Sequence, residues 1–247
     1  MDMERNHRFS ADSIQALKVK LTWPQLEVYA SDAQDIRVLA AGDEHSSAEL
    51  RVYEKDGVLY VEQPVRELTR SFVGGRWLQV LIELPAKTFE MIEAGTVSGR
   101  LSVRGIRGEE IRLDTVSGNI RAMTAEGKTV SMRTVSGSVK AGGLKGSKFA
   151  ARTVSGDMDF QGSSFQTARA TTVSGTISLE LTNTFERADF TSVSGDVTLS
   201  APVKHIRVSA KSISGRVQAT GILIDDEGPN VSMTGVSANL TLAGTSE

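Results

Sequence analysis

The chain has 247 residues, enough for one large domain or two small ones with a substantial core. Its 28 Lys and Arg against 30 Asp and Glu leave a net charge of −2, which argues against a dedicated nucleic-acid binder. It has no cysteine, so disulfides, thiolate metal sites and a cysteine nucleophile are excluded; 23 Gly and only 5 % aromatics suit short strands and tight corners better than a helical bundle.

The chain opens on MDMERNHRFS, which is charged and lacks the apolar centre of a signal peptide. No apolar run reaches the roughly 18 residues of a membrane span. Taken alone, the chain carries no signal or anchor and is expected in the cytoplasm. LKVKLTWPQLEVYA and DIRVLAAG alternate as strands do. LRVYEKDGVLYVEQ predicts a hairpin over 50–62 turning at Asp56-Gly57. Next comes PVRELTRSFVGGRW, where Arg66, Arg70 and Arg76 stand among Phe72 and Trp77. Arginine and aromatics favour binding hot spots, so these five residues are the candidate binding site, for a protein or an anionic glycan. The bland alternative is a long connection packed on the end of the fold. WLQVLIELP is a further strand, stopped by Pro85.

From residue 91 the sequence repeats. With the Gly of each S-G as anchor, the units fall at Gly99, Gly118, Gly137, Gly156, Gly175, Gly195 and Gly215, at intervals of 19, 19, 19, 19, 20 and 20. An eighth unit has Ala238 in the anchor position after an interval of 23. Positions seven, five and two before the anchor, and two and four after it, are apolar in all units, while the position after it is polar. This period of two predicts strands, with one slipped beat at the Thr of T-V-S-G. The expectation is therefore that the Val at minus two is a rib of the core and the Thr marks the bend. The paired residues Ser98-Gly99, Ser117-Gly118, Ser136-Gly137, Ser155-Gly156, Ser174-Gly175, Ser194-Gly195 and Ser214-Gly215 are then a hydroxyl ladder beside a glycine corner. Three early units carry a second glycine, Gly108, Gly127 and Gly146.

A 19–20-residue unit cannot bury its inner face alone, but stacked units can. The pattern predicts an all-β, right-handed, single-stranded parallel β-solenoid. It forms a single domain over 1–247, with degenerate coils and the hairpin in 1–90 and about eight regular coils in 91–247. Units are expected to stack in chain order, leaving the eighth as a bare C-terminal end open to end-to-end self-association.

Strands closing on LIELPAK and followed by tandem T-V-S-G units resemble the bacterial putative-adhesin family of β-strand-repeat domains. The resemblance covers roughly 17–247. It implies this fold, a location at the cell envelope or surface and an unknown molecular function, and it brings no catalytic residues.

Chemistry has little to stand on. Asp157, Asp159 and Lys140 on one outer face, with Arg121 and Asp196 nearby, are the nearest approach to the carboxylate clusters of β-helix polysaccharide lyases and hydrolases. Opposite charges stacked on a solvated face explain them as well. His7, His45 and His205 lack metal-ligand spacing, no serine has a G-x-S-x-G context, and no phosphate loop is present, so neither a catalytic residue nor a metal or other cofactor is expected. The loop GILIDDEGPN is expected to be a solvated tip. The leading reading is a non-enzymatic structural or binding module, adhesin-like, of the bacterial envelope. The alternatives are a carbohydrate-active enzyme and a self-assembling scaffold.

Overall fold

A computed structural model describes residues 2–63 and 77–245. The described elements are β1 (Asp2–Ser10), β2 (Ala16–Leu21), β3 (Pro24–Ser31), β4 (Asp35–Asp43), helix α1 (Glu44–Glu49), β5 (Arg51–Lys55), β6 (Val58–Glu62) and β7 (Leu78–Pro85). Then come β8 (Thr88–Arg104), β9 (Arg107–Met123), β10 (Glu126–Arg133), β11 (Val139–Gly142), β12 (Lys145–Arg152), β13 (Met158–Ser174) and β14 (Ile177–Leu181). The C-terminal third holds β15 (Arg187–Ser194), β16 (Val197–Ala201), β17 (His205–Lys211), β18 (Val217–Thr220), β19 (Leu223–Ile224), β20 (Asn230–Ser237) and β21 (Leu240–Gly244).

The fold is all-β and solenoid-like. Each repeat pairs in parallel with its neighbour, and equivalent positions lie side by side: Ile92 with Ile111, Ile111 with Val130, Val130 with Phe149, Phe149 with Ala168, and Ala168 with Ala188. Inward columns therefore stack into one continuous core. It holds Phe149, whose ring stacks on Phe165 at 4.8 Å and packs edge-to-face with Phe160 at 4.7 Å.

The corner is phased differently from the expectation. Thr96, Thr115, Thr134, Thr153, Thr172 and Ser192 are buried, while Val97, Val116, Val135, Val154, Val173 and Val193 are between 39 and 49 % exposed. The strand before the corner keeps its alternation through the Thr, and the four residues V-S-G-x form the outward bend. Apolarity misled because the corner puts its more apolar residue outside. The buried hydroxyls are tied locally: Thr134 Oγ1 donates to the Gly118 carbonyl, Ser192 Oγ to that of Gly195, and Thr96 Oγ1 to Thr115 Oγ1. Thr153 Oγ1 finds no partner among the described residues.

The stacking order also departs from chain order, at both ends. Ala188 in the sixth unit pairs with Val231 in the eighth, and Val231 pairs on its other side with Val208 in the seventh. The eighth unit is thus inserted between the sixth and seventh, and the seventh is the outermost coil. The longer interval before the eighth unit supplies the chain needed to step back. The crossing is tight: a Cβ on Gly228, whose φ is +75°, would lie 2.2 Å from the His205 carbonyl oxygen. Burial gives the reason. The eighth unit offers Val231, Met233, Leu240 and Leu242 to the core, all at most 2 % exposed, whereas the seventh offers the smaller Val208, Ala210, Val217 and Ala219. Placing the larger apolar set inside removes more surface from water.

The N-terminal end is built the same way. β2 lies between β6 and β8, and β3 between β7 and β8, so the first coil of the chain is second from the end. Outside it, β4 pairs antiparallel with β7 and β1 antiparallel with β4. β5 and β6 form an antiparallel hairpin around Asp56 and Gly57, both at positive φ as a two-residue type I′ turn requires. Arg5 closes helix α1, donating to the carbonyls of Ser47 and Leu50.

The corner phasing makes a direct prediction. Thr153→Val removes a buried hydroxyl that has no partner, so it is expected to raise stability by about 1 kcal/mol in urea unfolding. Val154→Thr, on the exposed corner, is expected to change it by less than about 0.5 kcal/mol. A loss of several kcal/mol from Val154→Thr would return the Val column to the core.

Candidate functional site

The outward corner turns the repeat into a surface. Along the stack the order is Val97, Val116, Val135, Val154, Val173, Val193, Val236 and Ile213, all exposed, Ile213 by 83 %. Eight β-branched side chains at the roughly 4.8 Å spacing of paired strands make an apolar ridge about 34 Å long. The serines run beside it, Ser98 paired with Ser117, Ser136 with Ser155, Ser155 with Ser174, Ser174 with Ser194 and Ser194 with Ser237. At the end of the row Ser214 Oγ lies 2.9 Å from Ser237 Oγ.

Glycine makes the ridge straight. A Cβ on Gly137, Gly156 or Gly175 would come within 2.1–2.2 Å of the carbonyl oxygen of the preceding anchor glycine. Coil backbones therefore meet at the corner at a distance no side chain permits.

Side chains just past the anchor bolt one coil to the next. Asn119 Oδ1 accepts from Ser138 N at 2.9 Å, and Asp157 Oδ1 accepts from Thr176 N and Oγ1, both at 2.8 Å. Asp196 Oδ1 accepts from Asn239 Nδ2 at 2.8 Å, and Asn239 Oδ1 from Arg216 N at 3.0 Å. The bonds from Thr176 hold the Asp157 carboxyl below its usual range. The carboxylate that suggested an enzyme is therefore engaged as a coil-to-coil cap. Asp159 lies level with Lys140, and Lys140 with Arg121, as opposite and like charges on a solvated strand face.

A cleft of about 500 Å³ opens on another side of the stack, over Gly108, Gly127 and Gly146, with Arg107, Glu126, Lys128 and Lys145 around it. Arg107 and Glu126 face each other at 3.5 Å. The second glycine column was visible in the sequence; that its missing side chains open a polar cleft was not. Neither this cleft nor a smaller one near Gly215 includes Asp157, Asp159 or Lys140.

Of the five candidate binding residues, Arg66, Arg70, Phe72 and Arg76 lie outside the described residues. Trp77 is 41 % exposed and its backbone N donates to Asp43 Oδ2 at 2.9 Å. The same carboxylate caps helix α1 by accepting from Ser46 N at 3.0 Å and Ser46 Oγ at 2.7 Å. Desolvation pushes the Asp43 carboxyl up, but the bonds from Ser46, Trp77 and His45 outweigh it and hold it at about 2. Asp43 thus pins the point where the chain returns from residues 64–76.

The histidines come out differently from one another. His205 Nδ1 lies 2.6 Å from Asp225 Oδ2, and Glu227 completes a group of three whose ligand-type atoms lie within 4.8 Å of one another. Sequence spacing did not reveal this, because the stepped-back loop is what lays the acidic turn over His205. The hydrogen bond to Asp225 raises the His205 pKa and lowers that of Asp225. All three side chains face solvent and His205 already engages Asp225, so the contact is assigned as an ion pair that fastens the loop.

Stacked parallel strands, glycine corners and an outward ridge define a β-solenoid-like repeat protein. The family model described as Toastrack DUF4097 matches residues 14–238, and the chain belongs to this family of unknown function. Its fold is similar to that of a putative adhesin from Bacteroides fragilis, at 14 % identity and TM-score 0.62 over 98 % of this chain and 97 % of that one. It is also similar to a putative lipid binding protein from Parabacteroides distasonis, at 15 % identity and TM-score 0.61 over 97 % and 96 %. A putative adhesin from the same species follows at 11 % identity and TM-score 0.51, with 97 % of each chain covered. No curated protein matches.

The Asp43 geometry predicts an acid sensitivity. Its folded pKa lies below the ordinary 3.8, so its stabilisation is complete above about pH 4 and is lost as pH falls toward 2. Asp43→Asn is expected to lower stability at neutral pH and to flatten the acid limb of the pH–stability curve between those values. An unchanged limb would mean that Asp43 does not anchor the return at Trp77.

Proposed function

We propose that the protein is a non-enzymatic binding module, adhesin-like, working at the bacterial cell envelope. In this reading 1–247 is one domain, a right-handed stack with eight regular coils, and its ligand lies along the outer surface rather than in an enclosed active site. The observation that carries the reading is the ridge from Val97 to Ile213. A protein that only needed a stable stack gains nothing from exposing an apolar residue at every corner, and exposed apolar patches of this extent mark interaction surfaces. The ridge is also rigid, because the glycine approach and the coil-to-coil caps hold it, so binding orders little. The names of its structural relatives, adhesins and a lipid binder, point to binding in the same way. Arg66, Arg70, Phe72, Arg76 and Trp77 are proposed as a second contact.

The test uses immobilised cell-wall fractions and a glycan array. A Val135→Lys, Val154→Lys, Val173→Lys variant is expected to lose at least tenfold in binding while its circular dichroism spectrum and melting temperature stay close to the parent, since all three positions are exposed. If Arg70→Ala or Trp77→Ala abolishes binding and the ridge variant does not, the Arg-rich segment is the site and the ridge is not.

A further inference from the structure

The two ends of the stack are finished differently. At the N-terminal end the outermost strands are charged: β1 carries Glu4, Arg5 and Arg8, and β5 carries Arg51, Glu54 and Lys55. Charges on an edge strand discourage pairing with another chain. At the C-terminal end the outermost coil is the seventh unit. Its strand β18 reads VQAT, with no charge and no proline, and among the described residues it pairs only with β21. Leu240 N donates to the Arg216 carbonyl, so in the parallel alternation the N–H and C=O groups of Val217 and Ala219 point to the open side. The inward side chains there lack a covering layer: Val217 is 39 % exposed, whereas Leu240 in the same column one coil in is 1 % exposed.

What lies on either side of β18 identifies the occupant. Before it come Ile213, 83 % exposed, and the cations Lys211 and Arg216. After it come Leu223, 63 % exposed, Ile224, 49 % exposed, and the acids Asp226 and Glu227. Antiparallel pairing of a strand with its own copy exchanges these flanks. The basic, Ile-bearing corner of each molecule meets the acidic, Leu-Ile segment of the other, and the two-fold axis makes the match twice. Parallel or head-to-tail pairing has no such match and would meet the charged N-terminal edge.

We propose that the protein forms a two-fold dimer through the seventh coil, β18 of one copy pairing antiparallel with β18 of a second copy and covering the open end of the core. With Gln218 opposite the partner's Gln218, the outward N–H and C=O groups of Val217 exchange bonds with those of the partner's Ala219, and the corner bearing Lys211 faces the partner's acidic turn that carries Asp226. The proposal does not depend on what the ridge binds.

The experiment is sedimentation velocity with light scattering on the intact chain from low to high micromolar concentration. The parent is expected to pass from monomer to dimer mass. Ala219→Pro, which removes an outward N–H without touching the bonds to β21, and Ile213→Lys are each expected to shift the equilibrium toward monomer by at least tenfold. Lys211→Glu and Asp226→Lys should each weaken the dimer, and the two together in one chain should restore it. Amide exchange checks the same contact without mutation: Val217 and Ala219 should gain protection as concentration rises. A parent that stays monomeric throughout overturns the proposal, as does a dimer that ignores Ala219→Pro and Ile213→Lys.

Discussion

The corner-to-corner approach of glycine backbones is the constraint on which the rest depends. A would-be Cβ at Gly156 lies 2.1 Å from the Gly137 carbonyl oxygen, and the same clash recurs through the regular coils. Only glycine lets successive corners approach this closely, and once they do, every other column is in register. The inward residues stack as like upon like, the serines pair with serines, and the capping side chains from Asn119 to Asn239 reach the next backbone N–H at nearly constant length. A slip of one residue at any coil would turn the core face outward, so register at the corner and burial in the strands enforce each other.

Polar groups inside this frame have assigned work. The Thr of each corner is enclosed, yet most of these hydroxyls find a carbonyl or a neighbouring hydroxyl, which keeps the cost of burial small. The outward carboxylates and amides satisfy the turn of the adjacent coil. What looked like scattered chemistry, Asp157 above all, belongs to the backbone's own hydrogen-bond requirements. The surface left over for function is correspondingly plain: a ridge of β-branched side chains, a polar cleft where glycines leave room, and the point of return at Trp77.

A stack must also end, and both ends use one device. The first and last coils of the repeat are each tucked one place in, so the coil outside each is held by a segment that has already closed. At the N-terminal end antiparallel strands and a short capped helix finish the job. At the C-terminal end the acidic loop is fastened to His205, but among the described residues no further strand covers β18. The same physics that holds coil to coil then acts outward.

Much of the fold was legible in the residues. A period of two, a spacing of 19–20 through the first seven units and glycine at seven of the eight anchors imply stacked strands, because a repeat can bury its inner face only against its own copies. The class of fold and the columns seven and five before and two and four after the anchor follow from that alone. The corner did not, since hydrophobicity cannot say which of two neighbouring residues turns outward when the bend, not the strand, sets direction; Val97 and Thr96 exchanged roles for that reason. Nor did the order of the coils. Every unit presents nearly the same edge to its neighbours, so the local pattern accepts either sequence of stacking, and only the summed burial of Met233, Leu240 and Leu242 together with the slack of the loop at Gly228 decides that the eighth unit goes inside the seventh.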